Sequence, residues 1–199
     1  MTWKDITYKQ FEQLKNIAED PNLTDDLRTM EMVLLLFGDQ PLDEMWKYVK
    51  EINDLLLLPM PTGDTIDSVL KVNGREYVVT KDLGKITTSQ FIDYTNYCKD
   101  GGDNIGMLSC FLIPKGHKYD DGYDMEKAKS DIGDLSIVTV NNYCFFFRKK
   151  WLSSQKASLL YLMVETLKLK GMPLKNKMRM VWAQARLWQS MDYLTTSLP

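Results

Sequence analysis

The spacing of apolar and polar residues predicts a mainly helical protein. In residues 6–11, ITYKQF, Thr7 and Gln10 have the spacing of a capping box, and the apolar residues at either end have that of a hydrophobic staple. A helix is therefore predicted to begin at about Thr7. The same offsets recur in residues 86–91, ITTSQF. This recurrence indicates either an internal repeat of two helical lobes or the coincidence of a common motif.

Two further helices are predicted before residue 62. One covers 25–37 and has Gly38 as its C-cap. The other begins near Pro41, a residue that suits a first helical position, and ends before Pro59. The apolar row of the first consists of Leu27, Met30, Leu34 and Phe37, and the second is predicted to carry Leu42, Met45, Trp46, Val49 and Ile52 inward.

A change of period between residues 70 and 79 predicts a β-hairpin. Asn73 and Gly74 tolerate the positive φ angles of a two-residue turn, and in that register Leu70 faces Tyr77 while Lys71 faces Glu76. Because an isolated hairpin is marginal in water, it must pack on the helices or join a sheet in a neighbouring chain.

The second half of the chain is predicted to be helical again. Residues 107–113 are read as a buried helix ended by a proline, and a short helix follows an N-cap at Asp124. Residues 138–151 have a β-branched start that is typical of a strand and an aromatic run that fits either type, and a helix is favoured there; a separate helix is predicted over 155–170. The predicted fold class is thus mainly α, with two small helical lobes, an Asn-Gly hairpin between them and a C-terminal helical arm.

Four parts follow from these elements. They are an N-terminal lobe over 1–62, the hairpin over 63–85, a second lobe over 86–171 and a C-terminal basic amphipathic helix over 172–199.

The C-terminal helix is the main candidate for an interface. Met178, Val181, Ala185 and Trp188 recur at helical spacing, with Trp182 beside them. Three basic residues flank this stripe. The helix is either the last helix of the core or an arm that docks on another subunit, and a nucleic-acid role is a third reading. The interface hypothesis names Lys175, Arg179, Trp182, Arg186 and Trp188, together with Asn73 and Gly74 of the hairpin.

Charge is distributed unevenly along the chain. Residues 1–140 contain 15 Lys and Arg against 25 Asp and Glu, whereas residues 141–199 contain 10 against 2. Acidic and basic regions of identical subunits could meet head to tail. The alternatives are two solvated faces of a monomer, or a basic region that binds nucleic-acid phosphate.

The residues offer little chemistry to an enzyme. His117 is the only histidine, and it lies in a polar, turn-like stretch. Three widely spaced cysteines indicate reduced thiols in a cytosolic setting. We therefore expect no catalytic residue, no cofactor and no metal site. We expect no signal peptide, because the N-terminus lacks a basic start followed by an apolar stretch. We also expect no membrane contact, because the longest apolar run is far shorter than the roughly 20 residues of a membrane span.

One ordered set of motifs carries a resemblance. The two Ile-Thr-x-x-Gln-Phe segments, the Asn73 hairpin, the stretch 111–124 (FLIPKGHKYDDGYD) and the aromatic run at 145–147 follow one another in this order. The set resembles a family of small proteins encoded in the structural-gene modules of tailed bacteriophages, especially crAss-like phages of gut Bacteroidetes. The resemblance covers about residues 5–165, and its most specific part is 111–124.

The resemblance implies a virion or morphogenesis protein. It would be made in the host bacterial cytoplasm and would contact copies of itself and other virion proteins. The first expectation is a non-enzymatic head–tail connector or ring component, or an interior virion protein. The alternatives are a tail or capsid assembly chaperone that the virion does not retain, and a packaged DNA-associated protein.

Overall fold

A computed structural model describes residues 1–41, 43–63, 65–98, 102–119 and 122–196, with side chains to Leu187 in the last helix. Within these ranges the chain forms eight α-helices and one three-stranded sheet, which confirms the mainly α class. The helices are α1 (Tyr8–Glu19), α2 (Asp25–Phe37), α3 (Met45–Leu57), α4 (Thr88–Tyr97), α5 (Asn104–Ser109), α6 (Met125–Gly133), α7 (Ile137–Lys168) and α8 (Leu174–Thr196).

The chain divides into two compact units, Met1–Phe145 and Phe146–Pro199. Both predicted lobes start in the first unit, which also contains the hairpin. The second unit contains the rest of α7 and α8, and we call it the C-terminal helix pair. The four-part division made from the sequence stays a prediction.

The two predicted capping boxes are confirmed. The Thr7 Oγ1 accepts the Gln10 backbone N–H at 3.2 Å, and the Gln10 Oε1 accepts the Thr7 backbone N–H at 3.0 Å. Thr87 and Gln90 make the same pair at 3.2 and 2.8 Å. α1 packs on α2 and α6, whereas α4 packs on α5. The internal repeat stays a prediction.

The predicted helices α2 and α3 form, but they bury only part of the apolar rows named from the sequence. The α2 row Leu27, Met30 and Leu34 is about half exposed, and the helix turns Met32 and Val33 to the core instead. α3 begins at Met45, and Leu42 lies outside the described residues. The other inward-predicted residues of α3 divide: Ile52 is buried and Met45 and Val49 are half-buried, but Trp46 is 64% exposed, so that prediction is wrong for Trp46.

The hairpin is confirmed and forms part of a larger sheet. β1 (Val69–Val72) and β2 (Arg75–Val79) pair in the predicted register, with Leu70 opposite Tyr77. A third strand, β3 (Leu112–Pro114), pairs antiparallel with β2 and places Pro114 opposite Tyr77. The predicted helix over 107–113 is therefore wrong in its second half. β3 is an edge strand, a place where a proline without an N–H group is tolerated.

The core of the first unit includes side chains of α5, α6 and the start of α7 and of the segment that leads into β3. Leu108, Phe111, Ile132 and Val140 are fully buried there. The rings of Phe111 and Tyr94 pack edge to face with centroids 5.1 Å apart. This core gives the sheet and its hairpin the helical support that an isolated hairpin lacks.

A single helix, α7, replaces the two helices predicted over 138–151 and 155–170. The predicted gap between them contains Ser153 and Ser154, but serine lowers helix propensity by only about a few tenths of a kcal/mol. The segment from Ile137 to Lys168 contains neither glycine nor proline, so nothing ends the helix earlier. Gly171, at φ 78°, and Pro173 separate α7 from α8.

Candidate interaction surface

Four of the predicted interface residues lie together on α8. Lys175, Arg179, Trp182 and Arg186 recur at i, i+4, i+7 and i+11, which places them within about 60° of one another around the helix. All four are exposed, and Trp182 is 65% exposed. We call these four residues the α8 basic face.

The opposite side of α8 meets α7. The Lys177 Nζ donates to the Leu167 carbonyl oxygen at 3.0 Å, and the Gln184 Nε2 lies 3.4 Å from the Thr166 Oγ1. Lys177 and Gln184 lie about 180° from the centre of the α8 basic face. The contacts that hold α8 on α7 therefore leave the basic face uncovered within the helix pair.

The predicted apolar stripe of α8 is only partly exposed. Met178 lies beside Trp182 and is 43% exposed, whereas Val181 and Ala185 are half-buried. The side chain of Trp188 lies outside the described residues. The exposed aromatic contact of this helix is therefore Trp182, with Met178 next to it.

The helix pair also exposes apolar side chains along the second half of α7. Scattered exposed apolar residues are normal on protein surfaces, but a dense group of them marks a contact site. The exposed members on α7 and at its end are Leu160, Tyr161, Leu162, Val164, Leu167 and Leu169. The helix pair thus presents both apolar surface and positive charge.

The charge division coincides with the structural division. Residues 146–199 carry 10 Lys and Arg against 2 Asp and Glu, a net charge of +8. Residues 1–145 carry 15 against 25, a net charge of −10. Each unit therefore has its own sign, which is the pattern that an electrostatic contact between copies requires.

The other two predicted interface residues, Asn73 and Gly74, have a different place. They form the hairpin turn in the first unit with φ angles of 51° and 74°. The Asn73 Nδ2 donates to the Asp131 Oδ1 at 2.9 Å and to the Asp134 Oδ2 at 2.8 Å. This turn is tied to α6 through its amide, so the structure gives Asn73 a packing contact within the chain.

Asp131 is the main acceptor of the hydrogen bonds that join the hairpin to α6, and the sequence analysis did not identify it. It is 4% exposed and accepts the Tyr77 hydroxyl at 2.6 Å. Burial raises the pKa of Asp131, but hydrogen bonds from Tyr77 and Asn73, together with the positive charge of Arg75, outweigh burial and hold this pKa below its ordinary value. Burial, then the hydrogen bond to Asp131, raises the pKa of Tyr77 to about 12. Asp131 lies three residues before the C-cap of α6, and nothing in the sequence pattern there indicates a buried hydrogen-bond acceptor.

His117 lines an open cleft of about 410 Å³ beside the sheet, together with Arg75, Lys115 and Asp124. The cations that line this cleft already have partners. The Lys115 Nζ lies 2.5 Å from the Glu76 Oε2, and the Arg75 Nη1 lies 3.8 Å from the Asp131 Oδ2. Across the described part of the chain, no group of three or more His, Cys, Asp and Glu side chains is arranged to hold a metal ion.

In the described ranges, no helix has both the length and the apolar character to cross a membrane. No protein-family model matches the chain, and comparison with curated proteins and with solved structures finds no match either. Among the surfaces described above, the α8 basic face combines exposed cations with an exposed aromatic ring, and it is the candidate site.

Proposed function

We propose that this chain is a non-enzymatic structural protein of a tailed-phage virion that assembles with copies of itself through its C-terminal helix pair. Its place would be a ring, a connector or the interior of the particle. The resemblance of residues 5–165 to structural proteins of tailed phages supports the virion role. The observation that carries the assembly is the α8 basic face, where Trp182 is exposed beside Arg179 and Arg186. Tryptophan and arginine are the residue types that contribute most to contact energies.

The charges of the two units support contact between copies. A helix pair of net charge +8 on one copy and a first unit of net charge −10 on the next attract each other. Such a contact uses different surfaces on its two sides, so each copy offers one surface of each kind. Repeated around a closed path it forms a ring, and without closure it forms a filament.

Mass photometry or sedimentation across a concentration series tests the assembly. The chain offers a matched pair of variants, because Trp182 and Trp46 are 65% and 64% exposed. We expect Trp182→Ala to raise the concentration needed for assembly by roughly 30-fold, the effect of losing a contact hot spot. Trp46→Ala should leave assembly unchanged. A wild-type chain that stays monomeric at all concentrations, or equal effects of the two variants, would contradict the proposal.

Mass spectrometry of purified particles tests the place of the protein. A virion component is expected in mature particles at a fixed ratio to the other structural proteins. An assembly chaperone is expected in infected cells and absent from those particles.

Nucleic-acid binding is a second candidate, which the same face favours. Proteins that bind single strands combine a basic surface with exposed aromatic rings on which bases stack, and Trp182 lies between two arginines. Binding of this kind weakens steeply with salt. Fluorescence anisotropy with labelled single-stranded DNA, at salt concentrations from about 50 to about 200 mM, measures this binding. A DNA affinity that falls steeply over this range supports nucleic-acid binding as distinct from self-assembly.

A further inference from the structure

α1 and α2 line an open groove on the first unit. Its volume is about 400 Å³. Ile17 of α1 and Leu34 and Leu35 of α2 supply its apolar lining. Its polar lining residues are Gln13, Asn16 and Glu31.

The groove continues into an exposed apolar row along α2. Leu27, Met30 and Leu34 are 48%, 46% and 52% exposed. Glu31 lies on one side of this row and Asp26 on the other. Both acidic side chains are exposed, and neither forms an ion pair with another described residue. An apolar row between two such carboxylates is suited to an amphipathic helix with basic flanks.

The α8 basic face provides an apolar centre with one basic flank. Trp182 and Met178 are exposed apolar side chains, and Arg179 and Arg186 lie on one side of them. No ion pair joins either arginine to another described residue. The four residues of the face span about 16 Å along α8, which exceeds the roughly 10 Å from Leu27 to Leu34 on α2.

We propose that the α8 basic face of one copy docks on the α1–α2 groove of a second copy. Trp182 then contacts Leu34 and Ile17, and Arg179 pairs with Glu31. This inference rests on the proposed self-assembly and names the surface that receives the helix. A bound helix would cover the apolar row that the first unit leaves exposed, and Arg179 and Glu31 would each gain an ion-pair partner.

Charge reversal at the proposed pair is the direct test. We expect Arg179→Glu and Glu31→Arg each to weaken assembly by roughly tenfold or more, because each places like charges opposite each other. Both positions are exposed, so circular dichroism and thermal unfolding should match those of the wild-type chain. The charge-matched controls are Lys170→Glu and Asp54→Arg, at exposed positions outside the two surfaces, and they should assemble normally.

Mixing the two reversed variants distinguishes contact between copies from contact within one chain. The Glu31→Arg chain keeps an intact basic face, and the Arg179→Glu chain keeps an intact groove. Their equimolar mixture should therefore assemble, with both chains in the product, although neither assembles well alone. The remaining contacts in the mixture join a glutamate at 179 to an arginine at 31, which restores the attraction with its signs exchanged.

A mixture that stays dissociated overturns the proposed pairing. If the wild-type chain assembles and Trp182→Ala weakens assembly, but Glu31→Arg and Leu34→Asp have no effect, the groove is not the receiving surface and the proposed function still stands. If the wild-type chain is monomeric at every concentration, the proposed function itself fails. Direct binding of labelled DNA that Arg179→Glu abolishes, with no self-assembly, assigns the face to nucleic acid instead.

Discussion

The two units of this chain differ in how many apolar residues they bury completely. In the first unit, Leu108 and Phe111 are fully buried, and the surrounding helices and strands cover them. In the C-terminal helix pair, Leu160 and Leu187 are 52% and 57% exposed. Burial of apolar surface is the main favourable term in folding. The first unit therefore has a buried apolar core that stabilises it, whereas the helix pair leaves much of its apolar surface exposed.

The largest expected difference between the units is the cost of removing a leucine. Leu108→Ala should lower the free energy of unfolding by about 2 to 5 kcal/mol, because it leaves a cavity in a fully packed core. Leu160→Ala should change it by no more than about 0.5 kcal/mol, because that side chain is already half exposed. Urea unfolding, at a concentration where the chain is monomeric, measures both. Similar costs for the two variants would refute the contrast.

The polar tie within the first unit should be the next most costly to break. Asp131→Ala removes the acceptor of the Tyr77 hydroxyl and of one Asn73 amide bond. A buried donor left without a partner costs about 1 to 3 kcal/mol. Thermal or urea unfolding of Asp131→Ala, compared with the double variant that also carries Tyr77→Phe, measures this cost. The double variant should recover part of the loss, since no buried hydroxyl then remains unpaired. If it is less stable than Asp131→Ala alone, the tie does not act through that hydroxyl.

A smaller cost is expected at the hairpin turn. Gly74 has φ 74° and open space where a Cβ would lie, so a substitution meets backbone strain without a steric clash. Gly74→Val should cost about 1 to 2 kcal/mol, the penalty for a left-handed residue. Gly74→Asn is the control, because asparagine adopts this conformation more readily, and it should cost clearly less. Equal unfolding free energies for the two variants would mean that the turn changes its conformation.

The smallest expected effect is a dependence on acid pH. Hydrogen bonds from Lys9 and Asn73 lower the pKa of Asp134, and the pKa of Asp131 is lowered as well. Groups whose pKa is depressed by folding stabilise the protein above their unfolded pKa, near 3.9, and lose that contribution as the pH falls through the folded pKa. Stability should therefore decline from about pH 5 downward.

Asn73→Ala tests that assignment. Without the amide, both carboxyl groups lose a hydrogen bond that favours their charged form, so the decline in unfolding free energy between about pH 5 and pH 2 should become shallower. Denaturant titrations at several pH values measure the slope. Lys85→Ala, which removes an exposed ion pair with Asp82 away from the two carboxylates, is the control and should keep the slope near the wild-type value.

Features that depend on local chemistry could be predicted from the sequence. Asn73-Gly74 specifies its turn and register within six residues, and the caps at Thr7 and Thr87 depend on a residue three positions away. The exposed row of basic residues and Trp182 on α8 also follows from spacing alone. In each case the determining contacts lie within a few turns of the chain.

Features that depend on distant partners could not be predicted in this way. α2 has apolar residues on more than one side, and its packing on α1 and α3 selects Val33 for the core and leaves Leu34 exposed. The strand character of Leu112 arises only when β2 lies beside it. Asp131 likewise acquires its role through Tyr77, 54 residues away. The groove proposed to receive α8 therefore has no local signature.

The two capping boxes differ in what natural variation they would permit. Gln10 uses its carbonyl oxygen for the cap, at a half-buried position, and a glutamate would accept the same bond. Gln90 also accepts the bond from Thr87, but its Nε2 donates to the Cys110 carbonyl at 2.8 Å in a buried setting. A glutamate there would place a carboxylate against a carbonyl oxygen. Related sequences would thus exchange Gln and Glu freely at position 10 and retain Gln at position 90, so that one motif carries two different evolutionary constraints.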